Sequence, residues 1–396
     1  MAAPKSPQEL HRHLISAIWK EGLVRVPSVY KAFLKVPRHL FLPDTPLEQA
    51  YADEAVPLKY DQSGRLISSC SQPTMIAIML EQLQVRPGHN VLEIGTASGY
   101  TAALLYHIVG PQGYVTSVEV ERDLAEQAEK NLLRAKVMGV RVVNADGAYG
   151  YLPRAAYDRI LATVGVWDVP TAWPRQLKPD GILVVPISLD GVQVSAAFRP
   201  QPDGSLLSTD NRPCAFVTMR GEEASPMQSV AVGSTGLVLY SAEASRMDTA
   251  RLRALMSADH ELVNVEPRLS PADYWRGLQF FLMLYRPPEA VFFTYGVAES
   301  AQPYGLSGRG LGLLLPGSAV FASFEEPGAA HVFGGSEALL LLQALMHEWV
   351  AANRPGSAQL RLRLIPQTDE APQVAVGRLF TRRAHHLHAW YELQPV

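Results

Sequence analysis

Short apolar runs alternate with amphipathic stretches between residues 91 and 187. Each run is short enough for a buried strand, and the segment from Tyr100 to Val109 is typical of the helix that follows the first strand. Strands are predicted at residues 91–94, 114–120, 140–144, 160–163 and 181–187. Strands that alternate with helices favour a parallel sheet with helices on its faces. The pattern therefore predicts an α/β fold.

The flanking segments follow other patterns. Residues 7–35 have apolar residues at helical spacing and a break at Pro27-Ser28, which predicts an N-terminal helical cap. Residues 192–198 and 214–219 predict an antiparallel strand pair on either side of the turn at residues 202–204. The last region is predicted to contain strands at residues 230–240, 289–295, 310–315, 319–324 and 360–366 and a helix at residues 336–353.

These patterns predict three parts. Residues 1–80 form the helical cap with the loop that follows it, residues 81–225 a nucleotide-binding core, and residues 226–396 a C-terminal α/β accessory domain that we expect to dock the substrate. All lysines lie at or before Lys178, and the later residues use arginine alone. That shift fits a separately acquired C-terminal part.

A glycine-containing loop, Gly95-Thr96-Ala97-Ser98-Gly99, joins the first predicted strand to its helix. Glycine lets the backbone turn sharply and approach a ligand, and the helix N-terminus presents free N–H groups to it. The dinucleotide fingerprint requires glycine at the third and sixth positions as well as the first, where this chain has Ala97 and Tyr100. NAD is therefore disfavoured.

Two acidic positions complete a different nucleotide site. Glu119 ends the second predicted strand, about twenty residues beyond the loop, where a carboxylate can hold a ribose diol. Asp146-Gly147 ends the third strand and is placed to meet an adenine edge. The ordered set predicts an S-adenosyl-L-methionine site, and residues 167–174 are predicted to form a loop over it.

Composition limits the partners and the compartment. The 396 residues are 47% hydrophobic and 18% charged, and the formal net charge of -3 does not suggest a nucleic-acid-binding surface. Two cysteines, Cys70 and Cys214, cannot make a disulfide framework. The polar start and the short apolar runs predict neither a signal sequence nor a membrane span. We therefore expect a cytoplasmic protein.

Other motifs carry weaker signals. The glycines at positions 305, 308, 310 and 312 lack the Lys-Ser/Thr of a phosphate loop, and His347-Glu348 lacks the second histidine of a zinc protease. His385, His386 and His388 have no nearby Cys or acidic cluster, so no metal site is predicted. Cys70 is expected to be a bystander thiol.

Several blocks occur together in an order that resembles the protein-L-isoaspartate O-methyltransferase family. The blocks are Val36-Pro37-Arg38, Phe41, Tyr51 with Asp53, Pro57-Leu58, residues 67–73 (ISSCSQP), residues 91–100 (VLEIGTASGY), Asp146-Gly147, and Gln176-Leu177-Lys178 with Gly181. The resemblance covers roughly residues 7 to 190. It implies a doubly wound, Rossmann-like methyltransferase domain, S-adenosyl-L-methionine as methyl donor, and a carboxylate of an aspartyl-type residue as acceptor.

The resemblance also implies roles for individual residues. The loop from Gly95 to Gly99 would bind the methionine side of the cofactor, Glu119 the ribose, and Asp146 with Gly147 the adenine side. Ser71 matches the serine beside the methyl-accepting carboxylate, and Ser69 stands near the position of a family threonine. Asp53 and Arg38 would support the acceptor site, with a structural salt bridge as the alternative for each.

The acceptor loop departs from the family. Residues 64–73 are longer than the usual Gly-Gln-Thr-Ile-Ser-Gln-Pro, and Pro57-Leu58-Lys59 replaces the usual Pro-Ile-Gly. With the added C-terminal region, this departure favours a branch that methylates an ordinary Asp of a cyclised, ribosomally synthesised peptide and leads to aspartimide or isoaspartate. The alternatives are repair of isoaspartyl proteins and a non-catalytic cofactor-binding scaffold. The oligomeric state and the substrate peptide stay open.

Overall fold

The computed structural model describes residues 6–392 except 21, 23, 225, 227–228, 258–259, 300 and 368–370. Its α-helices are α1 Pro7–Lys20, α2 Pro27–Lys35, α3 Leu47–Ala50, α4 Pro73–Leu83, α5 Tyr100–Val109, α6 Arg122–Arg134, α7 Ala172–Gln176, α8 Thr249–Met256, α9 Pro271–Asp273, α10 Gln279–Tyr285 and α11 Glu337–Ala351. A π-helical turn, Tyr274–Leu278, joins α9 to α10.

The strands form a hairpin and two sheets. They are β1 Val56–Tyr60, β2 Leu66–Cys70, β3 Asn90–Ile94, β4 Tyr114–Glu119, β5 Val140–Asn144, β6 Tyr157–Ala162, β7 Leu177–Ser188, β8 Gln193–Pro200, β9 Leu206–Pro213, β10 Ser229–Ala231, β11 Leu237–Tyr240, β12 His260–Asn264, β13 Val291–Val297, β14 Arg309–Leu315, β15 Ser318–Ser323, β16 Ala329–Gly334, β17 Leu360–Pro366, β18 Arg378–Thr381 and β19 His385–Tyr391.

The first sheet contains a parallel, doubly wound centre. Its ten strands lie in the order β18-β19-β17-β9-β8-β7-β6-β3-β4-β5, and β7, β6, β3, β4 and β5 pair in parallel. The chain starts in the middle at β3, moves outward to β5, and returns across β3 to β6. This reversal confirms the predicted Rossmann-like fold and creates a crevice at the carboxyl ends of β3 and β6.

An antiparallel pair extends this centre beyond β7, but its second strand differs from the prediction. β8 pairs with β9, whereas the prediction placed the second strand at residues 214–219. The turn at residues 202–204 determines the register, because Asp203 accepts a hydrogen bond from the Ser205 N–H at 3.0 Å and β9 starts directly afterwards. Residues 214–219 make one isolated bridge, between Thr218 and Gly165.

The N-terminal helices α1 and α2 pack together and, through α2, on helices α4 and α5 of the parallel centre. Leu14, Ile15 and Ile18 of α1 and Phe33 of α2 are buried, and they belong to an apolar cluster that also contains residues of α4 and α5. The amphipathic pattern of both helices gives each one a single buried face. β1 and β2 follow as a hairpin, which we call the acceptor hairpin, Val56–Cys70.

The second sheet has seven antiparallel strands in the order β10-β11-β13-β14-β15-β16-β12. The predicted strand at residues 230–240 is wrong, because the chain turns between Val232 and Leu237 and forms the hairpin β10-β11. Gly236 in that turn has a φ of +80°, in the left-handed region that favours glycine. Strands β12 and β16 and helices α8 and α10 were not predicted.

The last strands return to the first sheet. β17 pairs with β9 and with β19, so residues 360–391 extend the sheet that begins in the family-like part. One apolar cluster includes Leu92 and Ile160 from the first sheet and Leu282 and Val320 from the later region. The predicted boundary at residue 225 lies outside the described residues, and the sheets do not divide there into two independent bodies.

Candidate active site

The loop between β3 and α5 approaches the end of β6 closely. Gly95 has a φ of +95°, and a Cβ placed on it would lie 2.9 Å from Thr163 Oγ1. The Thr163 hydroxyl donates a hydrogen bond to the Gly95 carbonyl at 2.7 Å. Gly99, with a φ of +84°, is the residue before α5. The predicted glycine positions are therefore the ones where a side chain would disturb the loop.

A buried polar chain lies under this loop. Thr96 Oγ1 is 2.6 Å from Ser117 Oγ, and Ser117 donates to Glu93 Oε2 at 2.5 Å. Glu93 is fully buried in β3, and burial raises its pKa to about 8. The other oxygen of Glu93 has no hydrogen-bond partner among the described residues. Glu93 was not among the predicted site residues, although an acidic residue within an apolar strand is a signal for a buried carboxyl group.

Glu119 ends β4 beside the loop, as predicted. Its carboxylate accepts hydrogen bonds from the N–H groups of Ala97 at 2.9 Å and Glu121 at 3.1 Å. The residue is 6% exposed, and burial raises the pKa of its carboxyl. A carboxylate at the end of the second parallel strand is placed to accept the hydroxyls of a ribose.

Asp146 and Gly147 lie at the end of β5 and have different surroundings. Gly147 faces the crevice, where a Cβ placed on it would be 2.6 Å from Ile94 Cγ2. Asp146 accepts from the N–H groups of Ala148 and Glu222, each at 2.9 Å. Its carboxylate therefore orders the start of a 3-10 helix and the segment at residue 222, while Gly147 lines the crevice.

One cavity lies at the carboxyl ends of the parallel strands, and of the residues described above Gly95, Ala97, Glu119, Gly147 and Thr163 line it. Its lining combines the loops after four strands with the acceptor hairpin and with residues 217–220, which we call the closing segment. The lining residues are Ile67, Ser68, Ser69, Ile94, Gly95, Ala97, Val118, Glu119, Val120, Glu121, Gly147, Thr163, Val164, Val217, Thr218, Met219 and Arg220. The cavity therefore joins the predicted cofactor loop to the predicted acceptor region.

The predicted catalytic residues fall into two groups. Ser69 lines the cavity together with its neighbour Ser68, whereas Ser71 and Asp53 do not belong to the lining. Asp53 accepts hydrogen bonds from the Thr74 N–H at 2.8 Å and the Gln72 side chain at 3.1 Å. Both carboxylate oxygens thus hold the start of α4.

Arg38 supports the acceptor hairpin from inside the protein. It is fully buried, and its two terminal nitrogens donate to five carbonyl oxygens at 2.9 to 3.1 Å. These carbonyls belong to Ala50, Ala52, Glu54, Cys70 and Ser71. Arg38 therefore fixes the backbone on which the cavity serines lie, and it does so through carbonyls rather than through a salt bridge.

The loop after β6 is held by the C-terminal region. The predicted loop at residues 167–174 ends earlier, because α7 starts at Ala172, and none of these residues lines the cavity. Asp168 is buried and accepts from the Ala384 N–H at 2.7 Å, while its other oxygen is 2.8 Å from His385 Nδ1. His385 is therefore part of a structural pair, and none of the described residues forms a metal-binding group of three or more.

A family model described as Protein-L-isoaspartate(D-aspartate) O-methyltransferase matches residues 8–224, more than half of the chain. The chain belongs to this family. The Protein-L-isoaspartate O-methyltransferase of Methanopyrus kandleri is 40% identical over 211 residues, which are 53% of this chain and 91% of that relative. The protein of the same name from Pyrococcus horikoshii is 38% identical over 223 residues, 56% of this chain and 98% of its own.

A likeness in fold extends beyond the residues that the family model matches. A solved structure named protein-L-isoaspartate O-methyltransferase covers 96% of this chain and 99% of its own, with a TM-score of 0.52 and 24% identity. At that identity the likeness shows the fold alone. The similarity includes the second sheet as well as the first.

Family membership confirms the predicted enzyme class and cofactor. The protein is an S-adenosyl-L-methionine-dependent carboxyl methyltransferase. The residues present fit that cofactor, because Gly95, Ala97, Glu119 and Gly147 all line the cavity and the Glu119 carboxylate would accept the hydroxyls of a ribose there. No helix of the described residues combines the length and the apolar character needed to cross a membrane.

Proposed function

We propose that the protein methylates the free carboxylate of L-isoaspartyl residues in other proteins and so initiates their repair. The observation that supports this proposal is that residues of the cofactor loop and residues of the acceptor hairpin line the same cavity. The isoaspartate-named relatives align over nearly their whole length with the region that forms this cavity.

The C-terminal region does not by itself favour a dedicated peptide substrate. A structure that bears the isoaspartate name has a comparable fold over 96% of this chain. Tailoring of a cyclised acidic peptide stays the second candidate, because the acceptor hairpin carries Lys59 and an extended turn at residues 61–65. We place either activity in the cytoplasm, since Cys70 and Cys214 are free and buried.

The chemistry requires positioning more than proton transfer. Bound S-adenosyl-L-methionine supplies an electrophilic methyl group, and an acceptor carboxylate with an ordinary pKa near 4 is ionised at neutral pH. No general base is needed. In this proposal the Ser69 hydroxyl donates a hydrogen bond to the acceptor oxygen that is not methylated, while the acceptor hairpin and the closing segment exclude water.

The experiment offers three peptides to the full-length protein with S-adenosyl-L-methionine and follows them by mass spectrometry. The peptides are a linear isoaspartyl peptide, its aspartyl isomer and a cyclised acidic peptide. Methylation of the isoaspartyl peptide alone supports repair. Methylation of the cyclised peptide alone, followed by loss of methanol, would replace it with the tailoring function.

Serine variants test the assignment within the hairpin. Ser69→Ala should lower kcat/KM for the preferred peptide about tenfold, because one hydrogen bond to a charged group contributes about 1.5 kcal/mol. Ser63→Ala is the matched control, since Ser63 lies in the exposed turn of the same hairpin and its hydroxyl bonds to Asp61. Equal rates for both variants would remove Ser69 from the acceptor site.

A further inference from the structure

Three elements around the cavity are joined by a group of charged side chains. Lys59 of β1 lies 2.5 Å from Glu121 Oε2 and 2.6 Å from Asp123 Oδ1. Arg220 of the closing segment forms an ion pair with the other oxygen of Glu121. Glu121 and Arg220 both line the cavity. The Glu121 carboxylate, at the start of α6, therefore contacts both the acceptor hairpin and the closing segment.

The backbone of Glu121 connects this group to the cofactor site. Its N–H donates to Glu119 Oε1 at 3.1 Å, and Glu119 is the carboxylate placed for the cofactor ribose. Glu121 therefore contacts the Glu119 carboxylate through its backbone N–H and Lys59 of the acceptor hairpin through its side chain. A shift of Glu119 on cofactor binding would be transmitted to Lys59 through one residue.

Within this group the pairs of Glu121 with Lys59 and Arg220 are better shielded than an ordinary surface pair, whereas the Asp123 side chain is 63% exposed. The side chains of Lys59, Glu121 and Arg220 are 27%, 19% and 33% exposed. By contrast, Arg122 and Glu126, on the outer side of α6, are 83% and 53% exposed. Hydrogen bonds to Asp123 and Glu121 raise the pKa of Lys59, so it stays charged at neutral pH. Partial burial reduces screening and makes the pairs around Glu121 stronger than the outer pair.

We propose that Glu121 is a positioning residue which, through Lys59, couples cofactor binding to the placement of the acceptor hairpin. This inference rests on the proposed methyl transfer for its kinetic consequence, but the coupling itself is independent of the acceptor. Lys59 occupies a position at which the chain departs from the usual family sequence. The coupling is therefore expected to be a property of this chain.

The first experiment measures the coupling without catalysis. Hydrogen exchange of the amides in Val56–Cys70 is compared with and without S-adenosylhomocysteine in the wild type, Lys59→Met, Lys59→Arg and Glu121→Gln proteins. We expect the ligand to slow exchange in the wild type and in Lys59→Arg. The protection should be lost in Lys59→Met and Glu121→Gln although calorimetry still detects bound ligand.

The second experiment measures the kinetic consequence with the isoaspartyl peptide. Lys59→Met should raise KM for the peptide about fivefold, with the dissociation constant of S-adenosylhomocysteine within about twofold of wild type, because the partly buried pair contributes about 1 kcal/mol. Lys59→Arg should restore most of the affinity. Arg122→Met, which removes the exposed pair on the same helix, is the control and should leave both constants unchanged.

Defined outcomes would overturn the inference. Ligand-induced protection of the hairpin that persists in both Lys59→Met and Glu121→Gln contradicts the coupling, as does an equal rise of KM in Arg122→Met. A wild-type protein that shows the protection but methylates no isoaspartyl peptide refutes the proposed function and leaves the coupling supported. The two failures are therefore distinguishable.

Discussion

The family region, residues 8–224, and the C-terminal region, residues 229–392, use buried charge differently. In the family region Glu93 lies under a cavity and Glu119 lines it, and neither forms an ion pair with a cation among the described residues. Where the two regions meet, Asp190 is fully buried against Arg286 at 2.8 Å. The first arrangement buries carboxyl groups without an opposite charge, and the second uses opposite charges to join two parts of the chain.

The junction has several such contacts. Asp190 lies in the turn between β7 and β8 and also accepts from the Ala242 N–H at 2.6 Å. Arg382 stacks on Trp167, with its guanidinium carbon 4.9 Å from the ring centroid, and donates to the Ser188 carbonyl at 3.1 Å. The comparison indicates that the C-terminal region helps to hold the loops of the family region in place.

The largest effect should come from breaking the buried ion pair. Asp190→Ala leaves the Arg286 charge without its closest partner and is expected to lower the free energy of unfolding by about 3 to 5 kcal/mol. Urea unfolding measures this change. Asp210→Ala, which removes a partly exposed pair with Arg212, should change it by less than about 1 kcal/mol. A similar small change in both variants would contradict the junction's role.

The next effect concerns the unpaired carboxyl in the family region. Burial raises the folded pKa of Glu93 from 4.5 to about 8, so the folded state favours the protonated form. Its contribution is fully present below pH 4.5 and is lost as the pH rises through 8. Between pH 6 and pH 9 the wild type should lose on the order of 3 kcal/mol more stability than Glu93→Gln.

Urea unfolding at the two pH values tests this difference. Glu126→Gln is the control, because Glu126 is exposed on α6 and its replacement should leave the pH profile of wild type unchanged. Parallel profiles for the wild type and Glu93→Gln would show that the Glu93 carboxyl is not what titrates. The comparison between buried carboxyl groups without an opposite charge and the buried ion pair would then lose its clearest member.

A smaller effect is expected at the loop after β6. Asp168→Ala removes an acceptor for Val169 N–H, Ala384 N–H and the His385 ring, and burial of these donors makes the loss about 1 to 3 kcal/mol. Asp61→Ala is the matched control, since Asp61 accepts three comparable hydrogen bonds in an exposed turn where water can replace it. Thermal unfolding of both variants gives the comparison. A loss no larger than in Asp61→Ala would show that the C-terminal contact adds no stability.

The sequence predicted the parallel centre and the cofactor side of the cavity because their signals are local. Glycines in a short loop and an acid at a strand end determine the backbone and the chemistry within a few residues. Glu119 and Gly147 both line the cavity, and their roles at the cofactor stay predictions. Ser69, which belongs to the family-like block at residues 67–73, also lines the cavity.

Features that depend on distant pairing could not be predicted in the same way. The second strand of the antiparallel pair was assigned to residues 214–219 because that run is apolar, whereas hydrogen bonding after the turn at 202–204 selects β9. Ala384, a partner of Asp168, lies 216 residues away along the chain, and Lys59, a partner of Glu121, lies 62 residues away. Local sequence patterns do not predict contacts at such separations. The pairing of β17 with β9 is likewise a contact between distant parts of the chain that local patterns do not predict.

That pairing has a consequence for shortened versions of the protein. A chain that ended at residue 224 would contain the whole family match, yet β9 would lose its neighbour and expose unpaired backbone N–H and C=O groups. Exposed strand edges of this kind recruit other strands and promote aggregation. In the full chain the edge on that side of the sheet is instead the short β18, which begins with Arg378. We therefore expect strands β17 to β19 to protect the edge of the ten-stranded sheet at β9 from pairing with another copy of the protein.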